Sequence, residues 1–160
     1  MVRKNKLLNF LKENKIDFEE VLHPPVFTCE DADKLKENIQ CTSCKNLFLT
    51  DKKRYFIFAT LAHEKVNLKK LKEKIGVSRL SFGKPEKLFE LLKLTPGSVN
   101  PFAVFFDETN FVELILDSKM MEKEKLGFHP MKNDSTIILT PQELEKFLKK
   151  INTNYRIISI

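Results

Sequence analysis

Tryptophan is absent from this chain, glycine occurs four times and cysteine three times in 160 residues. So few glycines leave no phosphate cradle: neither Gly83-Lys84-Pro85 nor Gly97-Ser98 fits a Walker loop or a dinucleotide fingerprint, which disfavours nucleotide hydrolysis. An odd, sparse set of cysteines argues against a disulfide framework and fits a reducing compartment. Long hydrophobic runs are missing too. Stretches such as Tyr55 to Leu61 and Ile137 to Leu139 fall far short of the roughly 20 residues that cross a bilayer. At the start, Arg3, Lys4, Lys6 and Lys12 interrupt Leu7, Leu8 and Leu11, so no secretory signal is expected. These absences lead to the expectation of a cytoplasmic protein with no membrane partner.

What is present suits a single folded domain over residues 1–160. Apolar residues make up 42% and charged residues 31%, enough to build a core and solvate the rest, and 14 phenylalanines supply most of its aromatic volume. Lys plus Arg number 28 against 22 acidic residues, a formal charge of +6 that points toward polyanionic partners.

Hydrophobic spacing gives the elements. Leu7, Leu8 and Leu11 mark a helix from about Lys4 to Asn14, and Phe18 to Leu22 reads as extended. His23-Pro24-Pro25 forces a turn or an edge, after which Thr28 can cap a short helix through Ala32, Leu35 and Ile39. Leu47 to Leu49 and Tyr55 to Ala59, parted by Asp51-Lys52-Lys53-Arg54, form a hairpin pattern. Leu68, Leu71 and Ile75 line a helix stopped by Gly76, a strand follows near Leu80 to Phe82, and Pro85 opens a helix carrying Leu88, Leu91 and Leu92. Phe102 to Phe106 and Val112 to Leu116 flank Asp107-Glu108-Thr109-Asn110 as a second hairpin. Thr140-Pro141-Gln142-Glu143 is a capping box before the stripe of Leu144, Phe147, Leu148 and Ile151. The sum is an α/β (α+β) fold, a mixed and mostly antiparallel sheet surrounded by helices.

Several residue groups can carry chemistry, each with a plainer structural reading beside it. Cys41-x-x-Cys44 is half a zinc site, but only Cys29 and distant histidines remain to complete four ligands. A Cys44 nucleophile with His129 or His23 as base is a second arrangement, set against inert packing of buried thiols. Lys45 enters the apolar segment Asn46-Leu47-Phe48-Leu49, either partly desolvated at a strand's start or snorkelling to the surface. Gly97-Ser98-Val99-Asn100-Pro101 is either a helix-to-strand connector or a loop offering backbone amides to a substrate oxygen. Gly127-Phe128-His129-Pro130 is either a strand-entry turn or a wall that places an imidazole in a pocket.

Taken in order, HPPVFT from His23, KNLFLTDKKR from Lys45, LSFG from Leu80, LTPGSVNPFAV from Leu94 and GFHPMKNDSTIILTPQEL from Gly127 resemble the YbaK/ProX family of aminoacyl-tRNA editing domains, closest to its freestanding ProX-type branch. The resemblance spans nearly the whole chain. It implies a trans-editing deacylase that hydrolyses alanine mischarged onto proline tRNA, with tRNA and prolyl-tRNA synthetase as partners, no DNA, no membrane and no metal or other cofactor. Alternatives within its reach are a Cys-tRNA(Pro) deacylase of the YbaK type and a non-catalytic module that binds tRNA or synthetase. By the same resemblance Lys45 matches the family's essential lysine, Gly97 and Pro101 the ends of its GxxxP loop, and Asp117 and His129 further pocket positions. The catalytic set expected on this basis is Lys45, Gly97 and Ser98. Val26, Phe27, Asn46, Val99, Asn100, Pro101, Asp117 and His129 are expected to bind substrate, with Val26, Phe27 and His129 as the wall that excludes proline. Lys69, Lys70, Lys72, Lys74 and Arg79 are the candidates for tRNA contact, or else a solvated helix face.

Overall fold

The structure is a computed structural model that describes residues 2–23, 41–107, 109–130 and 134–160. Helix α1 (Val2–Glu13) and strand β1 (Glu19–Leu22) are followed by β2 (Thr42–Thr50), β3 (Tyr55–Leu61), α2 (Leu68–Ile75), β4 (Ser81–Phe82) and α3 (Pro85–Leu92). Two short 3-10 helices, Pro96–Ser98 and Pro101–Phe106, lead to β5 (Val112–Asp117); a third, Met120–Glu122, precedes β6 (Leu126–Phe128), β7 (Ser135–Leu139), α4 (Pro141–Lys150) and β8 (Tyr155–Ile158). The expected turn at His23-Pro24-Pro25, the Thr28-capped helix, and Val26, Phe27 and Cys29 involve positions outside the described residues.

The strands form one mixed sheet in the order β1-β7-β6-β2-β3-β5-β8, with β4 also paired to β2. The expected hairpin is there: β2 and β3 run antiparallel from Cys44 opposite Leu61 to Thr50 opposite Tyr55. Pairs β1–β7, β2–β4 and β6–β7 are antiparallel too, whereas β2–β6, β3–β5 and β5–β8 are parallel.

Strand alternation divides the core between the two faces. On one, Phe48, Ile57, Ala59, Leu114 and Leu116 pack with Leu7 and Leu11 of α1, Leu88 and Leu92 of α3, and Leu144, Phe147 and Leu148 of α4. On the other, Leu49, Phe56, Phe58 and Ile115 receive Leu71 and Ile75 of α2. Each buried side chain of this size stabilises the fold by about 1.5–3 kcal/mol relative to exposure. Helix α2 is short enough to need its ends. The Asn67 side chain accepts from the Lys69 and Lys70 amides, and Gly76 stops it at φ 88°, where a β-carbon is disfavoured.

Two expectations are corrected. Phe102 to Phe106 is not a strand of a second hairpin but most of a 3-10 helix, and β5 pairs in parallel with β3 and β8. Pro101 starts that helix with its fixed φ, and Phe102, Ala103 and Val104 are buried consecutively, which a helical turn inserted into a core allows and a one-faced strand does not. Asp107 closes it, its amide donating to the Val104 carbonyl at 3.2 Å while its carboxylate accepts from the Val112 amide at 2.7 Å. The capping box at α4 is also only half formed. Thr140 accepts from the Glu143 amide at 3.2 Å, while the Glu143 carboxylate turns away to the amide of Asp17 at 3.0 Å, tying the segment after α1 to the start of α4.

Gly127 shows how tightly β6 is set: a β-carbon there would lie 2.6 Å from the Cys41 Sγ and 3.1 Å from the Thr136 Cγ2.

Candidate active site

Strand β2 has β3 along one edge, but its other edge changes partner. It pairs with β6 only at Thr42 and Ser43 and with β4 only at Leu49 and Thr50. Among the described residues, Lys45, Asn46 and Leu47 therefore border an opening in the sheet, where β6 has ended at Phe128 and β4 has not yet begun. Diverging strands make a crevice that side chains from both faces can reach, which is where open α/β sheets place ligands.

Alternation sends Lys45 to the α2 face and Asn46 to the opposite face, the one against which Val99 packs. Lys45 is half-buried, and its ammonium donates to the main-chain carbonyl of Glu64, in the turn that follows β3. That turn is held by the Ala62 amide on the Ser43 carbonyl and the Glu64 amide on the Leu61 carbonyl, each at 3.0 Å. The surface-snorkelling reading of Lys45 thus gives way to an anchored cation.

Thr60 stands directly opposite Lys45 on β3, and the β3–β5 register continues to Asp117. The fully buried Thr60 hydroxyl donates to the Asp117 Oδ2 at 2.7 Å, and the Lys119 amide donates to Oδ1 at 3.0 Å. Both oxygens of this buried carboxylate are engaged, so Asp117 braces the row from behind. Thr60 was not expected from the sequence, although the hairpin register alone, with Thr50 opposite Tyr55, carries the signal that pairs it with Lys45.

On the other flank, the β2–β6 register continued two residues past Ser43 and Gly127 brings His129 level with Lys45. The His129 Nδ1 lies 2.9 Å from the Ser135 carbonyl. A carbonyl only accepts, so Nδ1 carries the proton and Nε2 of the neutral ring keeps its lone pair. Burial lowers the pKa of His129, the Ser135 carbonyl partly opposes that, and the charge of His23, whose ring centroid is 5.6 Å away, lowers it further. Since the folded pKa sits below the ordinary value of about 6.5, this group's contribution to stability is complete above that value. It is lost as pH falls from there through the folded pKa. Urea unfolding between pH 7.5 and 5 is expected to show a steeper acid loss for the native protein than for His129→Asn, which keeps a donor but does not titrate.

The loop from Gly97 to Pro101 lies on the Asn46 face. The Ser98 hydroxyl is occupied locally, donating to the Thr95 carbonyl at 3.0 Å and accepting from the Thr95 amide at 3.2 Å, and the Asn100 Nδ2 donates to the Ser98 carbonyl at 2.9 Å. What this turn can offer is the backbone at Gly97, since Pro96 has no amide and the Ser98 amide already donates to the Thr95 carbonyl at 2.9 Å. Gly97 has neither a positive φ nor any atom within 4 Å of a would-be β-carbon, so the fold itself does not require glycine there. Gly97→Val is accordingly expected to melt within a degree or two of the native protein, as measured by thermal scanning.

The candidate tRNA-contacting residues Lys69, Lys70 and Lys74 are exposed on α2, Lys72 is half-buried there, and Arg79 is exposed just beyond it. Helix α2 lies on the same face of the sheet as Lys45, Thr60 and Asp117. Among the described residues no three His, Cys, Asp or Glu side chains are grouped to hold a metal ion. Nor is any helix long and apolar enough to cross a membrane.

An anchored cation and a neutral imidazole border the opening, with the Gly97 to Pro101 turn on the opposite face. The family described as aminoacyl-tRNA editing domain matches residues 23–147, and the chain belongs to it: it is an aminoacyl-tRNA deacylase. It is 35% identical to the Prolyl-tRNA editing protein ProX of Acetoanaerobium sticklandii, with 100% of this chain and 99% of that protein aligned. It is 36% identical to the Prolyl-tRNA synthetase associated domain-containing protein 1 of Xenopus laevis over 92% of this chain and 90% of that one. In three dimensions it is similar to the crystal structure of hypothetical protein APE2540, with a TM-score of 0.75 at 15% identity, covering 94% of this chain and 96% of the other.

Proposed function

We propose that this chain edits proline tRNA in trans, hydrolysing the ester of alanine mischarged onto it. The observation that carries the reading is the Lys45 ammonium, fixed on the Glu64 carbonyl at the border of the sheet opening. Two further donor positions of that ammonium remain for the terminal phosphate or the ester oxygen of a bound substrate. The names of the two relatives, a prolyl-tRNA editing protein and a prolyl-tRNA synthetase associated protein, support proline tRNA as the adaptor and prolyl-tRNA synthetase as a partner.

In this mechanism a water adds to the ester carbonyl carbon. The bond to the ribose oxygen breaks, that oxygen takes up a proton, and alanine and a tRNA with a free terminal hydroxyl are released. Lys45 orients the ester, the backbone of Gly97 to Asn100 steadies the carbonyl oxygen as it gains charge, and Asn46, Val99 and Pro101 line the same side. Asp117 acts through the row behind Lys45. His129, neutral at pH 7, presents a wall that does not repel the substrate's ammonium. Exclusion of the proline ring by contact discriminates more strongly than added binding, since a methylene in a roomy pocket is worth only about 1–3 kcal/mol.

The exposed lysines of α2 and Arg79 follow the tRNA backbone. Replacing Lys69 and Lys70 with alanine is expected to weaken tRNA binding and to reduce the steepness of its salt dependence by up to about two phosphate contacts. Filter binding from 50 to 200 mM salt measures this; an unaltered slope assigns α2 to solvent. The substrate is tested by incubating the protein with alanyl-, cysteinyl- and prolyl-tRNA in the presence of a chelator and following ester loss. Rapid loss of alanine with prolyl-tRNA spared is the expected result. Preferential loss of cysteine would redirect the assignment to that ester, and spontaneous rates on all three would leave a binding module.

A further inference from the structure

The interactions around Lys45 close into a ring. Its ammonium rests on the Glu64 carbonyl, and the carboxylate of the same Glu64 accepts from the Lys119 Nζ at 2.9 Å. The Lys119 amide donates to Asp117 Oδ1, Asp117 Oδ2 accepts from Thr60, and Thr60 stands opposite Lys45. Three strands and two turns thereby fix one another, and the one member of the ring held largely by solvent-facing side chains is the pair of Lys119 and Glu64, at 50% and 29% side-chain exposure.

We propose that Glu64 and Lys119 are positioning residues for the deacylation: their ion pair clamps the turn after β3 to the turn after β5, so that the Glu64 carbonyl holds the Lys45 ammonium in its working direction. The inference rests on Lys45 being the catalytic cation. Two features separate this clamp from ordinary surface charge. The carbonyl that Lys45 uses belongs to the same residue as the clamping carboxylate, so movement of Glu64 moves the ammonium's anchor directly. The Lys119 backbone is itself pinned by Asp117, so the ion pair reaches from a fixed base. Exposed pairs contribute little to folding, hence losing the clamp should leave stability nearly intact while disturbing orientation, on which rates depend steeply.

The test compares Glu64→Gln, Lys119→Met and the exchanged double variant E64K/K119E with the native protein in three measurements. In single-turnover deacylation of alanyl-tRNA, each single variant is expected to lose about tenfold in kcat with KM unchanged within twofold, and the exchanged variant to recover most of that loss. Thermal melts should coincide within about 2 °C. Trace acetylation with acetic anhydride, read by mass spectrometry, should show Lys45 becoming more reactive relative to the other lysines in the single variants and returning toward native reactivity in the exchange. Equal kcat in all four proteins, or a loss that the exchange deepens, overturns the clamp. Should the native protein hydrolyse none of the esters, the deacylase assignment fails, and the acetylation pattern still decides the clamp: unchanged Lys45 reactivity overturns it and the described pattern upholds it.

Discussion

Lys45→Ala is expected to lower kcat/KM for deacylation by at least about a hundredfold, the scale of removing one well-aimed donor from a developing oxyanion. Folding should be nearly unaffected. The side chain is half-buried at the border of a gap, and the carbonyl it leaves behind, that of Glu64, sits in a turn between strand and helix within reach of water. Binding of uncharged proline tRNA should also persist, because the contacts expected for its backbone come from α2. Single-turnover rates, thermal melts and filter binding on the same preparation separate these three effects. Lys45→Arg is the sharper control. It keeps the charge, yet a planar fork cannot repeat the geometry of a compact ammonium, so most of the loss should remain. A Lys45→Ala variant with native turnover would remove the cation from the mechanism.

The largest effect on stability is expected at Asp117. Substituting alanine takes away the acceptor for the buried Thr60 hydroxyl, at about 1–3 kcal/mol for a group left without a partner, and for the part-buried Lys119 amide, which water can reach at a smaller cost. A loss of about 1–4 kcal/mol in urea unfolding is the expected outcome, a large share of the stability of a marginal protein. Asp117→Asn should cost less, since its carbonyl oxygen can still accept from one donor while the amide nitrogen opposes the other. Deacylation by the folded fraction should fall too, because the support behind Lys45 has loosened. If Asp117→Ala unfolds at the native urea concentration, the buried network contributes nothing to the fold.

Much of this architecture is legible in local sequence, for reasons that show where such reading stops. The helix at Leu68 announces itself through stripe and glycine stop, the one at Thr140 through cap and stripe, and the β2–β3 hairpin through two apolar runs about a charged turn. Phe102 to Phe106 misleads because five apolar residues in a row suit a buried strand as well as a helical turn sunk in a core. Only the placement of Pro101 and the Asp107 cap decides. Strand β8 is hard to read for the same kind of reason. Its partner β5 lies some 40 residues away, as Leu114 opposite Tyr155 shows, and parallel pairing leaves no turn signature.

The site divides similarly. Lys45, the Gly97 to Pro101 loop and His129 stand out through motif resemblance. The opening in the sheet does not, because it arises from where β6 stops and β4 starts along β2, and neither event leaves a mark near Lys45. Glu64 and Lys119 carry no motif at all. They become visible only when the turns after β3 and β5 lie side by side.

The crowding at Gly127 has its own corollary. The space that a side chain at 127 would need is already filled by the Cys41 sulfur, so the two positions share a single allotment of volume. Among homologous chains, a bulkier residue at 127 should be accompanied by a slimmer one at 41, and the thiol at 41 earns its place as filler whatever its redox chemistry.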